Sequence, residues 1–457
     1  MIFNNFYFIF LFLPITLFLF YNNRLKESRS LILITASFIF YGLNGLEHVF
    51  ILFFDILWVY IFTSLKNFRN NKSLLIACIA IPCLNLFYYK YLGFLFNDIL
   101  NINLPEDGKT FSLFSNIILP AGISFFTFQL ISFSVDKFKN DIKENLSLEK
   151  LFLYISFFPQ LVAGPIVRYS NVKKIITNIK IFKLENKNLK ISLIYIIYGL
   201  FLKVVLADGL ANFINPLKSD MEILSIIPCL YIIFAYSFQI YFDFYGYSLI
   251  ALGLGKLFGF NLPQNFNNPY KTLNPKEFWK CWHITLSNWI KDYIYIPLGG
   301  KEKYLRNIFL IFLFCGLWHG AGFNFIIWGL FHGFYIIIYK TLQKNWDNLH
   351  DSIQIFLNFF IVSFVWTLFL FDFPDLKNFF NNFFKFHNNG LFTISFFMWL
   401  FLIFCYFFIF KFDFEKFIRN KEILNKNQKI IGIVMAIIFF ITLTFLGNSG
   451  DFIYFKF

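Results

Sequence analysis

Charge is what this chain has least of. Only 14% of its 457 residues are Asp, Glu, Lys or Arg, where a soluble domain carries about 25%. Too few charges remain to solvate a globular surface, which excludes a soluble protein and predicts an integral membrane one. Cysteine is scarce as well. Cys78, Cys83, Cys229, Cys281, Cys315 and Cys405 lie in or beside apolar runs and make no CxxC pair, which excludes a disulfide framework and a zinc site; no metal is expected. The one glycine cluster near a nucleotide motif, "GLGKLFG" at 253–259, has a residue too many for GxGxxG and no βαβ context. What abounds is apolar: 58% hydrophobic residues, 74 of them Phe. The net charge of +14 sits in short loops between apolar runs, the pattern of the positive-inside rule. Membrane lipid, and no nucleic acid, is the partner this implies.

Spans need roughly 20 apolar residues. Residues 3–21 qualify, and the first basic cluster (Arg24, Lys26, Arg29) follows them, predicting a retained anchor that starts outside. Runs at 31–46, 49–65, 74–96 and 117–135 follow, separated by "KNFRNNK", "NLPEDGKT" and "DKFKNDIKENLSLEK". Residues 151–167 carry Pro159, Gly164 and Pro165 between two basic flanks, so a re-entrant segment is expected there. Runs at 191–211 and 223–252 cross out and back. Residues 276–293 read as an interfacial amphipathic helix, with Phe278, Trp282, Leu286, Trp289 and Tyr293 on one face and Lys276, Lys280 and Lys291 on the other. Residues 307–339 are too long for one span and are broken by Gly316, Gly320 and Gly322, predicting a bent hairpin with His319 near its tip. Spans at 353–371, 391–410 and 430–446 leave the last residues outside. The whole, 1–457, reads as a single polytopic all-α domain of roughly ten to eleven transmembrane helices.

Six histidines are the candidate chemistry. His48, His350 and His387 fall in loops or span ends and are expected to be solvated. His332 lies in "GLFHG", thirteen residues after His319 in "GLWHG"; on a continuous helix the two would face apart, so His332 reads as a packing residue. His319 is different, because an ionisable group within the membrane marks a function by default. His283, at the polar edge of the interfacial helix, is the second candidate. Two classes remain open on this ground: an embedded group-transfer enzyme with a histidine base, and a transporter with a histidine proton relay. Transporters use several intramembrane carboxylates and repeats, whereas Asp55 and Asp243 are the main acids visible here.

Six stretches carry a resemblance. "GISFFTFQLISFSVD", "YISFFPQLVAGPIVRY", "QIYFDFYGYSLIALGLGKLFGFNLPQNFNNPY", "FWKCWHITLSNWIKDYIYIPLGG", "GLWHGAGFNFIIWGLFHG" and "FIYFKF" resemble, in order, the membrane-bound O-acyltransferases, in their bacterial alginate O-acetyltransferase-like branch. The resemblance implies helices arranged around a central funnel and tunnel, no bound cofactor, and a cytosolic acetyl donor, acetyl-CoA. It implies His319 as the catalytic base and His283 on the cytosolic side beside the donor tunnel. Trp318, Asn324, Asp243 and Ser287 are the expected tunnel-lining or donor-side residues. A periplasmic SGNH-type O-acetyltransferase is the expected partner and a cell-envelope polysaccharide the final acceptor, peptidoglycan ahead of alginate or another exopolysaccharide. The motif at 452–457 is similar to the aromatic ending of a small peptide in the related D-alanine transfer system, which makes Tyr454 a candidate acyl carrier. Tyr245 and Leu249 stand where the family commonly has a serine and an acid, Cys281 where arginine is common, and Phe323 where tryptophan is frequent.

A base of this kind suits a dry site. A histidine with its reference pKa near 6.5 is mostly neutral at cellular pH, and a water-excluded pocket limits competing hydrolysis.

Overall fold

The computed structural model describes residues 2–43, 45–100, 102, 118–162, 164–219, 224–385, 394–448, 450 and 452–453. Among them there is no strand, and the all-helical membrane fold read from the sequence holds. Among the described residues, seven helices are long and apolar enough to cross a membrane: Leu46–Thr63, Lys72–Ile99, Asn186–Ser219, Ile226–Leu257, Phe323–Thr341, Asp351–Leu370 and Gln428–Phe445. Phe8–Tyr21 and Asn23–Gly42 make an eighth if taken as one span, bent by 97°. These segments are rich in Phe and Ile, poor helix formers in water. In hydrocarbon the helix wins because each backbone group finds its partner within the segment. Other apolar runs form shorter helices, Ile123–Phe138 and Phe396–Phe410.

Contacts divide the chain into two compact units, Met1–Ile196 with Ile250–Pro263, and Ile197–Leu249 with Gln264–Phe457. The first unit opens on the bent pair. Asn22 caps the turn by accepting from the Arg24 N–H at 3.0 Å, and the buried Arg29 guanidinium donates to the carbonyls of Phe20 (2.9 Å), Lys180 (3.1 Å) and Phe182 (2.8 Å). Asp55 is buried in the helix Leu46–Thr63 and accepts from Asn85 Nδ2 at 2.7 Å. His48, expected in solvent, is buried in the same unit, because it lies in the first turn of that helix and faces the packed side.

Residues 151–167 run as the end of a short helix (Leu148–Ser156), one further turn (Phe158–Leu161) and an extended stretch. Nine residues rise only about 13 Å, too little to cross. Every described residue from 151 to 167 is buried. The Tyr154 hydroxyl donates to the Val167 carbonyl at 2.7 Å, and Gln160 donates to the Tyr154 carbonyl, so the irregular backbone is satisfied from inside the protein. Gly122, at φ +77, starts the adjoining helix where a Cβ would lie 2.3 Å from the Leu161 carbonyl oxygen.

Candidate active site

Every candidate site residue that can be placed belongs to the second unit. Its central element is a hairpin of Tyr304–His319 and Phe323–Thr341. Asn307 fixes the entry, its Nδ2 donating to the carbonyls of Gly300 (2.8 Å) and Leu298 (3.3 Å). The two helices meet backbone to backbone. A Cβ on Gly316 would stand 2.3 Å from the Phe325 carbonyl oxygen, and one on Gly329 would stand 2.2 Å from that of Phe312. Small residues are what such close approach requires.

The chain reverses through extended backbone at Gly320 and Gly322, which leaves His319 as the last residue of the first helix. His319 is 2% exposed. Trp318 and Trp328 stand edge-on to its ring at 4.9 Å each, and Phe369 at 5.2 Å. Asn324 Nδ2 donates to the carbonyls of Leu368 (3.0 Å) and Phe371 (3.4 Å), so it secures the turn that carries Phe369. The result is a buried histidine in an aromatic enclosure.

Residues 276–293 do not form one amphipathic helix. Pro275–Cys281 and Ile284–Ile290 are separate helices, and His283 between them takes the left-handed conformation, φ 43 and ψ 53. The strap "NFN" at 265–267 holds the break from both sides. Asn267 N–H donates to the Cys281 carbonyl (3.0 Å), Ile284 N–H to the Asn265 carbonyl (2.9 Å), and the Thr285 hydroxyl to Asn265 Oδ1 (2.6 Å). These bonds offset the helical ones lost at the break. As a result His283 leaves the polar edge that a continuous helix would give it and is fully buried. Its ring lies 4.8 Å from Phe244 and 5.7 Å from Trp318. Burial pushes its pKa down to about 3, so the imidazole is neutral. Trp318 thus contacts both candidate histidines.

Asp243 is 1% exposed and ion-paired with Lys203 at 2.7 Å. Lys203 also pairs with Asp208 at 2.7 Å. Gly246, three residues on from Asp243, lets the two helices approach this closely: a Cβ there would lie 2.7 Å from the Gly199 carbonyl oxygen and 3.0 Å from the Lys203 backbone nitrogen. Both acids also accept from backbone amides further along the chain, Asp208 from the Gly450 N–H (3.2 Å) and Asp243 from the Ile453 N–H (2.7 Å). Sequence reasoning missed Lys203 and Asp208. A lone lysine in "GLFLKVVLAD", five residues before an acid within an apolar run, was the available signal. Tyr454 and His387 lie outside the described residues.

The departures from the family motif have local consequences. The Tyr245 hydroxyl donates to Glu415 Oε1 at 3.0 Å, and burial raises the Glu415 pKa. Leu249 is fully buried. Ser287 Oγ donates to the Trp282 carbonyl at 3.4 Å and lines a cavity of about 300 Å³ with Lys276, Lys280, Leu286 and Cys315. His332 packs among Trp328 (4.9 Å), Trp279 (5.0 Å) and Trp366 (6.3 Å). The hairpin turn, which a continuous helix would lack, brings His319 and His332 to the same tryptophan. The exposed His350 caps the helix Asp351–Val365, accepting from the Ser352 N–H at 3.3 Å. Among the described residues no group of His, Cys, Asp and Glu is suited to a metal.

Comparison with known proteins points one way. The family model of the membrane-bound O-acyltransferases matches residues 109–371. The chain is 35% identical to the peptidoglycan O-acetyltransferase of Helicobacter pylori over 411 residues, 81% of this chain and 77% of that protein. It is 33% identical to the probable alginate O-acetylase of Pseudomonas aeruginosa over 387 residues, 81% of this chain and 72% of that protein. The teichoic acid D-alanyltransferase of Bacillus subtilis is 30% identical over 50% of this chain and 61% of that protein.

Proposed function

The chain belongs to the membrane-bound O-acyltransferase family and is a multi-pass acyltransferase of the bacterial inner membrane; on that premise, we propose that it transfers acetyl groups from cytosolic acetyl-CoA toward the O-acetylation of peptidoglycan. The observation that carries this reading is His319, enclosed by Trp318, Trp328 and Phe369 at the tip of the hairpin. A base in such an enclosure takes a proton from the attacking hydroxyl, which is worth about 10²–10⁴-fold in rate, while water is kept from the thioester. His283 stays neutral and fully buried, and through Trp318 it sets one wall of the same enclosure. The cavity beside Ser287 supports an anionic thioester donor, since Lys276 and Lys280 stand over an apolar wall that includes Ile308, Phe312 and Ile336.

In this reading Tyr454, next in the chain to Ile453, receives the acetyl group. His319 takes the phenol proton, the phenolate oxygen attacks the thioester carbonyl, the C–S bond breaks and the thiolate leaves as CoA. Thiol and phenol reference pKa values, near 8.5 and 10, keep that exchange close to balanced. A periplasmic SGNH-type O-acetyltransferase then takes the acetyl group from the aryl ester to the polysaccharide. Peptidoglycan is favoured by the 35% identical relative, and alginate or another exopolysaccharide is the second reading, favoured by the 33% identical one.

His319→Ala is expected to abolish acetyl release from acetyl-CoA in proteoliposomes while the protein still inserts and elutes as one folded species. Retained donor turnover in that variant overturns the role of His319. Mass analysis of muropeptides and of secreted polysaccharide from cells with and without the protein decides between the acceptors.

A further inference from the structure

Lys203, Asp208 and Asp243 form a buried cluster of one cation and two acids, and stability alone does not explain it. Apolar residues of similar volume usually do as well as, or better than, a buried ion group. The division of labour within the cluster is more informative. Each aspartate gives its Oδ1 to the Lys203 ammonium at 2.7 Å. Each accepts with its Oδ2 from a backbone N–H of the residues around 450–453, Asp208 from Gly450 at 3.2 Å and Asp243 from Ile453 at 2.7 Å. Charge-assisted acceptors make the stronger bonds to peptide N–H groups.

Between the two gripped amides stands Phe452, 1% exposed, stacked on Tyr247 at 4.7 Å and edge-on to Phe244 at 5.6 Å. Asp243 and Tyr247 are four residues apart on one helix and share a face, so one helix face holds both the backbone and the ring of the segment. Phe244 also lies edge-on to His283 at 4.8 Å. Lys203 itself sits in a stretch of π-helix, Phe201–Ala207, a local irregularity that is frequent at functional sites.

We propose that this cluster is a docking clamp that fixes the register of segment 450–453, and that Lys203, Asp208 and Asp243 are positioning residues for the acyl-accepting residue that follows. The ligand class is a peptide offering two N–H groups three residues apart with an aromatic residue between them, here supplied by the chain itself. The part concerning the acyl acceptor rests on the tyrosine relay proposed above; the clamp does not.

Hydrogen exchange on the full chain in nanodiscs reads the two amides directly. Asp243→Ala and Asp208→Ala are expected to speed exchange at Ile453 and Gly450 by about 10-fold or more, with exchange in the helix Phe323–Thr341 unchanged. Asp243→Asn keeps an acceptor oxygen and is expected to restore most of the protection. Should the alanine variants fail to fold, Ile453→Pro removes the donor N–H and leaves every charge in place; Gly450 exchange is then expected to rise. In the acetyl-transfer assay, released variants are expected to lose kcat with KM for acetyl-CoA unchanged. Protection equal to wild type in Asp243→Ala, Asp208→Ala or Ile453→Pro overturns the clamp. Faster exchange with wild-type transfer keeps the clamp and removes the Tyr454 relay.

Discussion

His283 makes folding sensitive to acid. Burial lowers its pKa from 6.5 to about 3, so below pH 6.5 the unfolded chain takes up a proton that the folded chain refuses until about pH 3. Stability from this group is therefore whole above pH 6.5 and lost as pH falls through that window. His283→Asn keeps a polar residue that tolerates the left-handed backbone and removes the titration. Thermal melts between about pH 4.5 and 6.5 should then show a shallower fall in Tm than wild type; an equal slope would show that His283 does not refuse the proton. The sequence betrayed His319 more readily than His283. An ionisable side chain inside "FCGLWHGAGFNF" conflicts with its surroundings on sight, whereas the burial of His283 depends on the Asn265 strap, eighteen residues away in the chain. Lys203 was legible in principle, as a lone cation inside an apolar run.

At the scale of elements, the glycines of the hairpin and of the outlying helix Gln428–Phe445 predict opposite outcomes. Gly316→Ala places a Cβ 2.3 Å from a backbone oxygen that no side-chain rotation can move. Overpacking of this sort costs about 1–3 kcal/mol, and because His319 ends the same helix, transfer should fall together with Tm. Gly432 has nothing within 4 Å of an added Cβ, so Gly432→Ala should stabilise its helix by roughly 0.5–1 kcal/mol and leave transfer unchanged. Fluorescence-detected size-exclusion melts of the two variants check both signs. The hairpin itself was readable, since glycines interrupting a run too long for one span leave few alternatives. The stretch 276–293 was not, because hydrophobic periodicity continues across Trp282 and His283 while the backbone turns there. Periodicity reports which side chains prefer burial and says nothing of a distant strap that offers the backbone other partners.

At the scale of the whole molecule, the six ordered blocks placed the chain in its family, while its division into two units left no trace in the composition. Two of the three boundaries, Ile196/Ile197 and Leu249/Ile250, fall inside continuous helices, and the third, Pro263/Gln264, falls in a non-helical stretch. Sidedness is the remaining global property, and it decides whether the donor reading can stand. The basic loops predict that residues near Lys301 face the cytosol and those near Gly447 face outward. Both positions are exposed and both lie in the second unit, so single cysteines there should report without disturbing the core. In a Cys83→Ser background, Gly447→Cys is expected to react with an impermeant maleimide in spheroplasts, and Lys301→Cys only after permeabilisation. The reason for the test is chemical. Lys276 and Lys280 lie on the chain segment that precedes Lys301 within the same expected cytosolic stretch, and the cavity they border is the proposed donor site. The opposite labelling pattern would turn that cavity toward a compartment without acetyl-CoA, and the donor would have to be sought elsewhere.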